Sequence, residues 1–170
     1  RSLDGGVSFA LSSYWTESGA ASRNVGYCHA DIDIMKFVGN NLYVGSDGGI
    51  FVASNSGGTI NDNFYTDLTF GLGIRQFYRI GVSQTDPEML VGGAQDNGSS
   101  FYNTSGQWFD WLGADGMEGF VDKNNNNIFY GTSQSGTLYK STNGGASRFN
   151  LSTPPGTGNW VTPFEQDPVD

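Results

Sequence analysis

The sequence predicts an all-β fold of repeated four-stranded antiparallel sheets, arranged as the blades of a β-propeller. Three observations predict it. Glycine accounts for 26 of 170 residues, aromatic residues for 14% and charged residues for only 15%, a composition that suits short strands joined by tight turns. Strand-like runs recur at a nearly constant spacing, and one small polar turn occurs twice. Helical periodicity is weak throughout the chain.

The repeated unit is built around a β-hairpin. In each copy an apolar run is followed by a glycine-rich turn and a second apolar run, the pattern of two antiparallel strands joined by a tight turn. The three hairpin segments are Asn41–Ser54, Met89–Tyr102 and Asn127–Ser141. A strand-like run precedes each hairpin, and a fourth such run follows the last one. These four runs are Ile32–Val38, Phe77–Val82, Met117–Val121 and Trp160–Phe164.

The spacing of the preceding runs defines the repeat. Their centres, at Asp33, Tyr78, Gly119 and Thr162, are 45, 41 and 43 residues apart. A last strand of the unit is predicted at Phe64–Phe70 in one copy and at Gln107–Leu112 in the next. Four antiparallel strands in a unit of about 40–50 residues is the pattern of a propeller blade.

These units predict the organisation of the whole chain. We expect one propeller segment over 1–170, with a partial blade 1–28, blades 29–72, 73–113 and 114–157, and a partial blade 158–170. The expected architecture is an arc of three to four blades cut from a larger propeller. The alternative is a closed four-bladed ring, in which strands from the two ends of the chain share a blade.

Two polar turns, 139 residues apart, repeat the same residues in the same order. The first polar turn carries Ser2, Asp4, Gly6, Ser8 and Phe9, and the second carries Ser141, Asn143, Gly145, Ser147 and Phe149. Short polar side chains can accept hydrogen bonds from the backbone N–H groups of their own turn, and glycine adopts positive φ without steric cost. We therefore expect both turns to be closed by their own side chains, and a strand to begin at Phe9.

The first polar turn resembles the Asp-box of the bacterial neuraminidase repeat, whose pattern is Ser-x-Asp-x-Gly-x-Ser/Thr-aromatic. Ser2, Asp4, Gly6, Ser8 and Phe9 match all five positions. The second polar turn keeps Ser141, Gly145 and Ser147, with Asn143 in place of the aspartate and the aromatic residue displaced to Phe149. The resemblance implies a propeller fold and a structural role for these residues, on the part of the blade away from the ligand.

The rest of the chain resembles the propellers of sortilin type and those of secreted bacterial surface proteins, which are related to xyloglucan-cleaving glycoside hydrolases. The sequence segments that carry the resemblance are His29–Asp31, Tyr43–Ile50, Gln76–Ile80, Gly92–Gly98 and Asp115–Glu118. It implies a secreted or cell-surface location. It also implies that the chain's partners include the remaining blades of a larger parent protein.

Charge and cysteine content narrow the range of partners. The formal net charge of −9 repels phosphate backbones and anionic membrane surfaces, and no apolar run has the roughly 20 residues that span a bilayer. We therefore expect neither nucleic-acid binding nor membrane insertion. The single cysteine, Cys28, has no partner for an internal disulfide. We predict no cofactor and no bound metal.

One group of candidate binding residues lies just before the first hairpin. His29, Asp31 and Asp33 occupy alternate positions, so in a strand their side chains would share one face and could bind a ligand or a divalent metal. The alternative is a polar rim of a central channel. Asp96, in the turn of the second hairpin, could face a ligand in the same way.

Two aspartates are candidates for catalysis. Hydrolysis of a glycosidic bond needs two carboxyl groups that flank the bond, and Asp47 and Asp115 both stand in glycine-rich surroundings at predicted strand ends. In the related xyloglucanases the two catalytic acids lie on different propeller domains, so one arc of blades cannot supply both. Asp-Gly is also an ordinary hairpin turn.

Two further motifs have structural alternatives. Trp108, Trp111 and their aromatic neighbours could stack on sugar rings, although packing between blades is the favoured interpretation. Asp122–Asn127 has the oxygen-rich composition of a calcium loop but lacks its glycine at the sixth position, so we interpret it as a solvated turn.

The leading hypothesis is a non-catalytic binding or scaffold segment with a polysaccharide or protein ligand. The alternative is part of a glycoside hydrolase.

Overall fold

The computed structural model describes residues 1–152, 156 and 158–169. The chain divides into two compact units, which are described separately: unit 1 is Arg1–Ile74 and unit 2 is Arg75–Asp170. Three separate four-stranded antiparallel sheets account for most of the regular structure, one in unit 1 and two in unit 2. The predicted all-β class and the four-stranded antiparallel sheets are confirmed.

Unit 1 begins with a short substructure that the sequence analysis did not predict. Two-residue strands β1 (Ser13–Tyr14) and β2 (Gly26–Tyr27) pair in parallel, and helix α1 (Glu17–Arg23) joins them. The Thr16 hydroxyl caps the helix by accepting a hydrogen bond from Gly19 N at 3.2 Å, as N-cap residues do. Asn24 ends the helix in the left-handed conformation, at φ 50°.

Sheet 1 follows in unit 1, with its strands in chain order. They are β3 (Ile32–Val38), β4 (Asn41–Ser46), β5 (Gly49–Ala53) and β6 (Thr66–Asp67). Strand β3 has the predicted bounds, whereas β6 is only two residues long. Beyond Asp67 the pairing continues through one backbone bond, from Leu68 N to Ile50 O at 2.8 Å, whereas Ile50 N donates to the Thr69 hydroxyl at 3.1 Å. Cys28, Val44 and Phe51 form the buried core of the unit.

Unit 2 contains sheets 2 and 3. Sheet 2 consists of β7 (Arg79–Val82), β8 (Leu90–Ala94), β9 (Gly98–Tyr102) and β10 (Trp108–Leu112). Sheet 3 consists of β11 (Gly116–Val121), β12 (Phe129–Ser133), β13 (Leu138–Ser141) and β14 (Phe149–Ser152), with a 3₁₀ turn at Gln134–Gly136. In both sheets the strands follow chain order and neighbours are antiparallel.

Sheet 3 packs on one face of sheet 2 through β11, which lies against β7 and β8. Glycine makes this close approach possible. A Cβ atom on Gly93 would lie 2.1 Å from Met117 O, and one on Gly81 would lie 2.3 Å from Gly119 O. Around this contact a single apolar cluster is buried, and it comprises Met89, Val91, Phe101, Trp111, Leu112, Val121 and Phe129.

The segment after sheet 3 differs from the prediction. Trp160–Phe164 forms no strand; instead the Trp160 carbonyl accepts a hydrogen bond from Ser135 N at 3.3 Å, and Phe164 packs on Phe120 with ring centroids 4.9 Å apart. The segment therefore attaches to sheet 3 by a single backbone hydrogen bond and by ring packing rather than by a strand ladder. Thr157 and Asp170, the ends predicted for the blade 114–157 and the partial blade 158–170, lie outside the described residues.

At the chain ends the structure contradicts one prediction, the strand at Phe9, and the alternative of a closed four-bladed ring. Phe9 begins no strand and is 78% exposed. Among the described residues, β1 pairs only with β2, and 158–169 contain no strand, so the two ends do not share a sheet as the closed four-bladed ring requires. None of the helices in the described part of the chain has the length and apolar composition needed to cross a membrane.

Candidate functional site

The first polar turn is closed by hydrogen bonds to two side chains. Gly6 N donates to Ser2 Oγ at 2.8 Å, Ser8 N donates to Asp4 Oδ1 at 3.0 Å, and Ser8 Oγ donates to Asp4 Oδ2 at 2.6 Å. These bonds to the charged carboxylate, chiefly the one from the Ser8 hydroxyl, hold the pKa of Asp4 well below its usual range. The turn is solvent-exposed, so its bonds fix local shape rather than a core.

The second polar turn makes the same set of bonds in a different environment. Gly145 N donates to Ser141 Oγ at 2.9 Å, and Ser147 N donates to Asn143 Oδ1 at 2.9 Å. Asn143 Nδ2 donates to Ser147 Oγ at 2.8 Å, whereas in the first turn the serine hydroxyl donates to the carboxylate. Ser141 is fully buried, and Gly145 lies against the ring of Phe101. This turn is therefore anchored in the core of unit 2 through Ser141 and Gly145, while Asn143 and Ser147 stay exposed.

The predicted group of His29, Asp31 and Asp33 does not lie along one strand. Only Asp33 is within β3, while Asp31 precedes that strand at φ 55°. A residue in this left-handed conformation breaks the alternation of faces on which the prediction depended. The ring of His29 lies over the backbone of Gly48, where a Cβ atom would come within 2.2 Å of His29 Cγ. A role for these residues in ligand binding stays a prediction.

Asp47 lies in the two-residue turn of the hairpin between β4 and β5. Its backbone N–H donates to Asp31 O at 3.3 Å, and a carboxylate oxygen of Asp47 lies within 4.8 Å of one of Asp31. Both side chains are exposed. The structure thus brings a predicted catalytic aspartate close to a predicted binding aspartate, at the end of sheet 1 where β3 starts.

Asp115, the second catalytic candidate, joins two turns of unit 2. Its Oδ1 atom accepts a hydrogen bond from Asp96 N at 2.9 Å, and Asp96 has the positive φ of 60°. Its own N–H donates to Gln134 Oε1 at 3.2 Å, and its carbonyl accepts from Gln134 N at 3.1 Å. Asp115 therefore holds the hairpin turns of sheets 2 and 3 together at the start of β11.

Cys28 is buried in unit 1, with 4% of its surface exposed. Burial, helped by the negative charge of Asp67, raises the pKa of the Cys28 thiol to about 11. A thiol with this pKa is almost entirely protonated at neutral pH, and the thiolate is the nucleophilic form. The environment of Cys28 therefore supports a packing role and opposes nucleophilic catalysis together with its neighbour His29.

The aromatic run in β10 is divided between two faces of sheet 2. Trp111 is buried against Phe129, with ring centroids 5.1 Å apart, as the packing interpretation predicts. Trp108 is 48% exposed and stacks on Phe77 at 5.3 Å. Phe109 faces the opposite way from Trp108 and stacks on Phe101, with centroids 5.2 Å apart, while 40% of its own surface stays exposed.

A groove of about 570 Å³ opens beside Phe109 in unit 2. Its apolar floor includes Phe101, Phe109 and Phe129. Its polar walls come from three connections between strands: Asp86 follows β7, Asn103 follows β9, and Asn126 and Asn127 precede β12. The second polar turn closes the remaining side with residues 144–146. The volume is within the range of roughly 300–1,000 Å³ that is usual for small-molecule sites.

The sequence patterns do not predict this groove. Apart from Asp110 in β10, its polar residues are in turns that are 17 to 41 residues apart along the chain, and each turn by itself has the composition of a solvated loop. Asp122–Asn127 indeed forms a turn between strands, with Asn124 N donating to Asp122 Oδ1 at 2.9 Å. The available signals were the aromatic run that contains Phe109 and the concentration of asparagine in turns that share one end of the predicted hairpins.

No protein-family model matches the sequence, and no curated protein matches it. The resemblance of the polar turns to the Asp-box therefore stays a prediction, and the function is inferred from geometry.

Proposed function

We propose that the chain is a non-catalytic binding or scaffold segment of a secreted or cell-surface β-propeller protein, with a carbohydrate or a protein as its ligand. Sheets 2 and 3 support the propeller assignment, since they follow one another in the chain and pack face to face through β11, as neighbouring blades do. The observation that carries the binding function is the groove of unit 2, which combines an exposed aromatic ring with several amide and carboxylate side chains.

The roles of the two candidate catalytic aspartates support a non-catalytic segment. The Asp115 carboxylate accepts a hydrogen bond from the backbone of Asp96, so it acts as a support for a turn. Asp47 is exposed in its hairpin turn, whereas a general acid depends on burial to keep its proton at neutral pH. These arrangements favour a structural role for both residues over acid catalysis of glycoside hydrolysis.

A second candidate function, part of a glycoside hydrolase, is favoured by one observation. Carboxylate oxygens of Asp31 and Asp47 lie within 4.8 Å of each other, and retaining glycosidases place their two carboxyl groups about 5–5.5 Å apart. In this function Asp47 would be the acid or base and Asp31 the second carboxylate. The exposure of both side chains opposes it.

Affinity gel electrophoresis and a reducing-sugar assay test the two functions together. The chain carries a net charge of −9 and migrates towards the anode, so a native gel cast with xyloglucan, mixed-linkage β-glucan or galactomannan would retard it if it binds that polymer. We expect retardation in at least one gel and no release of reducing ends. Release of reducing ends that is lost in Asp47→Asn would establish the hydrolase instead. Unretarded migration in every gel would leave only a protein ligand.

A further inference from the structure

The groove of unit 2 has the chemistry of a site for an uncharged, hydroxyl-rich ligand. Its floor is aromatic and its exposed ring is Phe109, which has one face on Phe101. A sugar ring presents C–H groups on one face and hydroxyl groups around its edge. An exposed aromatic ring beside hydrogen-bonding side chains matches both parts of such a ligand.

The asparagine side chains at the wall are oriented by the protein but keep donors available. Asn126 Oδ1 accepts hydrogen bonds from Ser83 Oγ at 2.6 Å and from Thr85 Oγ1 at 3.1 Å. Asn103 Oδ1 accepts from the N and Oγ atoms of Ser105. Within the described part of the chain, the Nδ2 groups of Asn103 and Asn126 donate to no other group. Both amides are thus fixed at one end, with the other end able to donate to a ligand.

The charges around the groove select against anionic ligands. No lysine, arginine or histidine is among the described residues that line it, whereas Asp86 and Asp110 are. Asp110 is already paired with Arg75 at 2.8 Å. A phosphate, sulfate or carboxylate group would therefore meet a negative wall without a counter-charge. A hydroxyl group can donate to Asp86 and accept from the asparagine amides.

From these contacts we infer that the groove binds a neutral oligosaccharide, with the apolar face of one sugar ring on Phe109 and its hydroxyl groups hydrogen-bonded to Asn103, Asn126 and Asp86. This inference rests on the proposed binding function and assigns it a place and a ligand class. The groove lies beside the second polar turn, at the end of sheets 2 and 3 opposite Asp115. Within unit 2 it is therefore separate from Asp96 and Asp115, the predicted binding and catalytic aspartates of that unit.

Titration calorimetry with defined oligosaccharides tests the inference. The probes are cellotetraose, mannotetraose and the xyloglucan heptasaccharide, with tetragalacturonate as an anionic comparison and choline as a cationic one. We expect one neutral oligosaccharide to bind and tetragalacturonate not to bind. Binding of choline together with failure of every neutral oligosaccharide would overturn the inference, because Asp86 and Phe109 would then form a cation site. Failure of every probe would overturn it as well.

Two neighbouring aromatic residues provide matched variants. Phe109→Ala removes the ring in the groove, and Trp108→Ala removes a similarly exposed ring on the opposite face of the same strand. We expect Phe109→Ala to weaken binding about tenfold or more, the scale of a lost stacking contact, and Trp108→Ala to leave it unchanged. Asn126→Asp keeps the oxygen that accepts from Ser83 but removes the donor, and it should also weaken binding.

These variants distinguish a wrong location for the binding site from a wrong binding function for the chain. An oligosaccharide that binds both Phe109→Ala and Asn126→Asp as tightly as the unchanged chain would show that the groove is the wrong place, while the proposed binding function would stand. If Phe109→Ala fails to fold, as judged by circular dichroism, Asn126→Asp decides the question alone. Retardation by a polysaccharide gel that Phe109→Ala abolishes would support both the function and its place.

Discussion

The backbone of Gly145 lies directly on the ring of Phe101: a Cβ atom on Gly145 would come within 2.6 Å of Phe101 Cε1. Gly145 also has φ 84°, a conformation that L-residues rarely adopt. The second polar turn is thereby joined to the aromatic cluster that forms the floor of the groove. The turn and the groove depend on each other for their shape.

Gly145→Ala should destabilise unit 2 more than Gly144→Ala. Both glycines have positive φ, but a Cβ atom on Gly144 would meet only Asn127 Oδ1, at 3.5 Å. The difference therefore reports the clash with Phe101 together with the tight contacts to Phe129 and Trp111, both at 3.2 Å, for which we expect about 1–3 kcal/mol. Urea unfolding followed by tryptophan fluorescence measures it. Equal losses in the free energy of unfolding for the two variants would show that backbone strain alone causes the destabilisation.

Ser141→Ala should cost far more stability than Ser2→Ala. Each serine accepts a hydrogen bond from the glycine four residues later, at 2.9 Å in the second polar turn and 2.8 Å in the first. Ser141 is fully buried, so its loss leaves the Gly145 N–H without an acceptor and away from water, which costs about 1–3 kcal/mol. In the exposed first turn water replaces the hydroxyl. The free energies of unfolding in urea give the comparison.

Glu118→Gln should stabilise the protein at neutral pH and lose this advantage in acid. Burial raises the pKa of Glu118 above its usual value, against the opposing attraction of Arg79. The folded state therefore holds this proton more tightly than the unfolded state, so the stability contribution of Glu118 is complete below its unfolded pKa. That contribution is lost as pH rises through the folded pKa. The exposed Glu88→Gln variant in the same unit is the control, since it makes the same change in net charge.

Thermal unfolding of the wild-type chain and both variants, from pH 3.5 to 7.5, measures this effect. We expect the melting temperature of Glu118→Gln to exceed that of the wild type only at the upper end of the range. A difference of the same size at every pH, or an equal response from Glu88→Gln, would contradict the assignment to burial of Glu118.

Cys28 should react slowly with thiol reagents in the folded protein. Its raised pKa of about 11 and its burial both reduce the thiolate that a disulfide reagent can reach. At pH 8 we expect labelling by a chromogenic aromatic disulfide to be at least about a hundredfold slower in native buffer than in 8 M urea, the ratio expected from the thiolate fractions alone. Rapid stoichiometric labelling of the native chain would show that Cys28 is accessible and reactive.

Individual elements show why sequence patterns predicted some features and missed others. Strand β3 has its predicted bounds, Ile32–Val38, because an apolar run between turn residues identifies a strand locally. Helix α1 was missed because seven residues are too few to establish a helical period; it depends on its Thr16 cap and on burial of Ala20. The shared face of His29 and Asp33 was wrong because Asp31 leaves the extended conformation.

The sequence by itself determined that four short antiparallel strands recur, since apolar runs and glycine-rich turns specify hairpins through neighbouring residues alone. It also determined the bonding of the two polar turns, whose donors and acceptors are within a few residues of each other. Only the tertiary structure decided that the first turn lies at the surface whereas the second is anchored in the core through Ser141. It alone formed the groove, because Phe109, Asn103 and Asn126 meet only when sheet 3 packs on sheet 2.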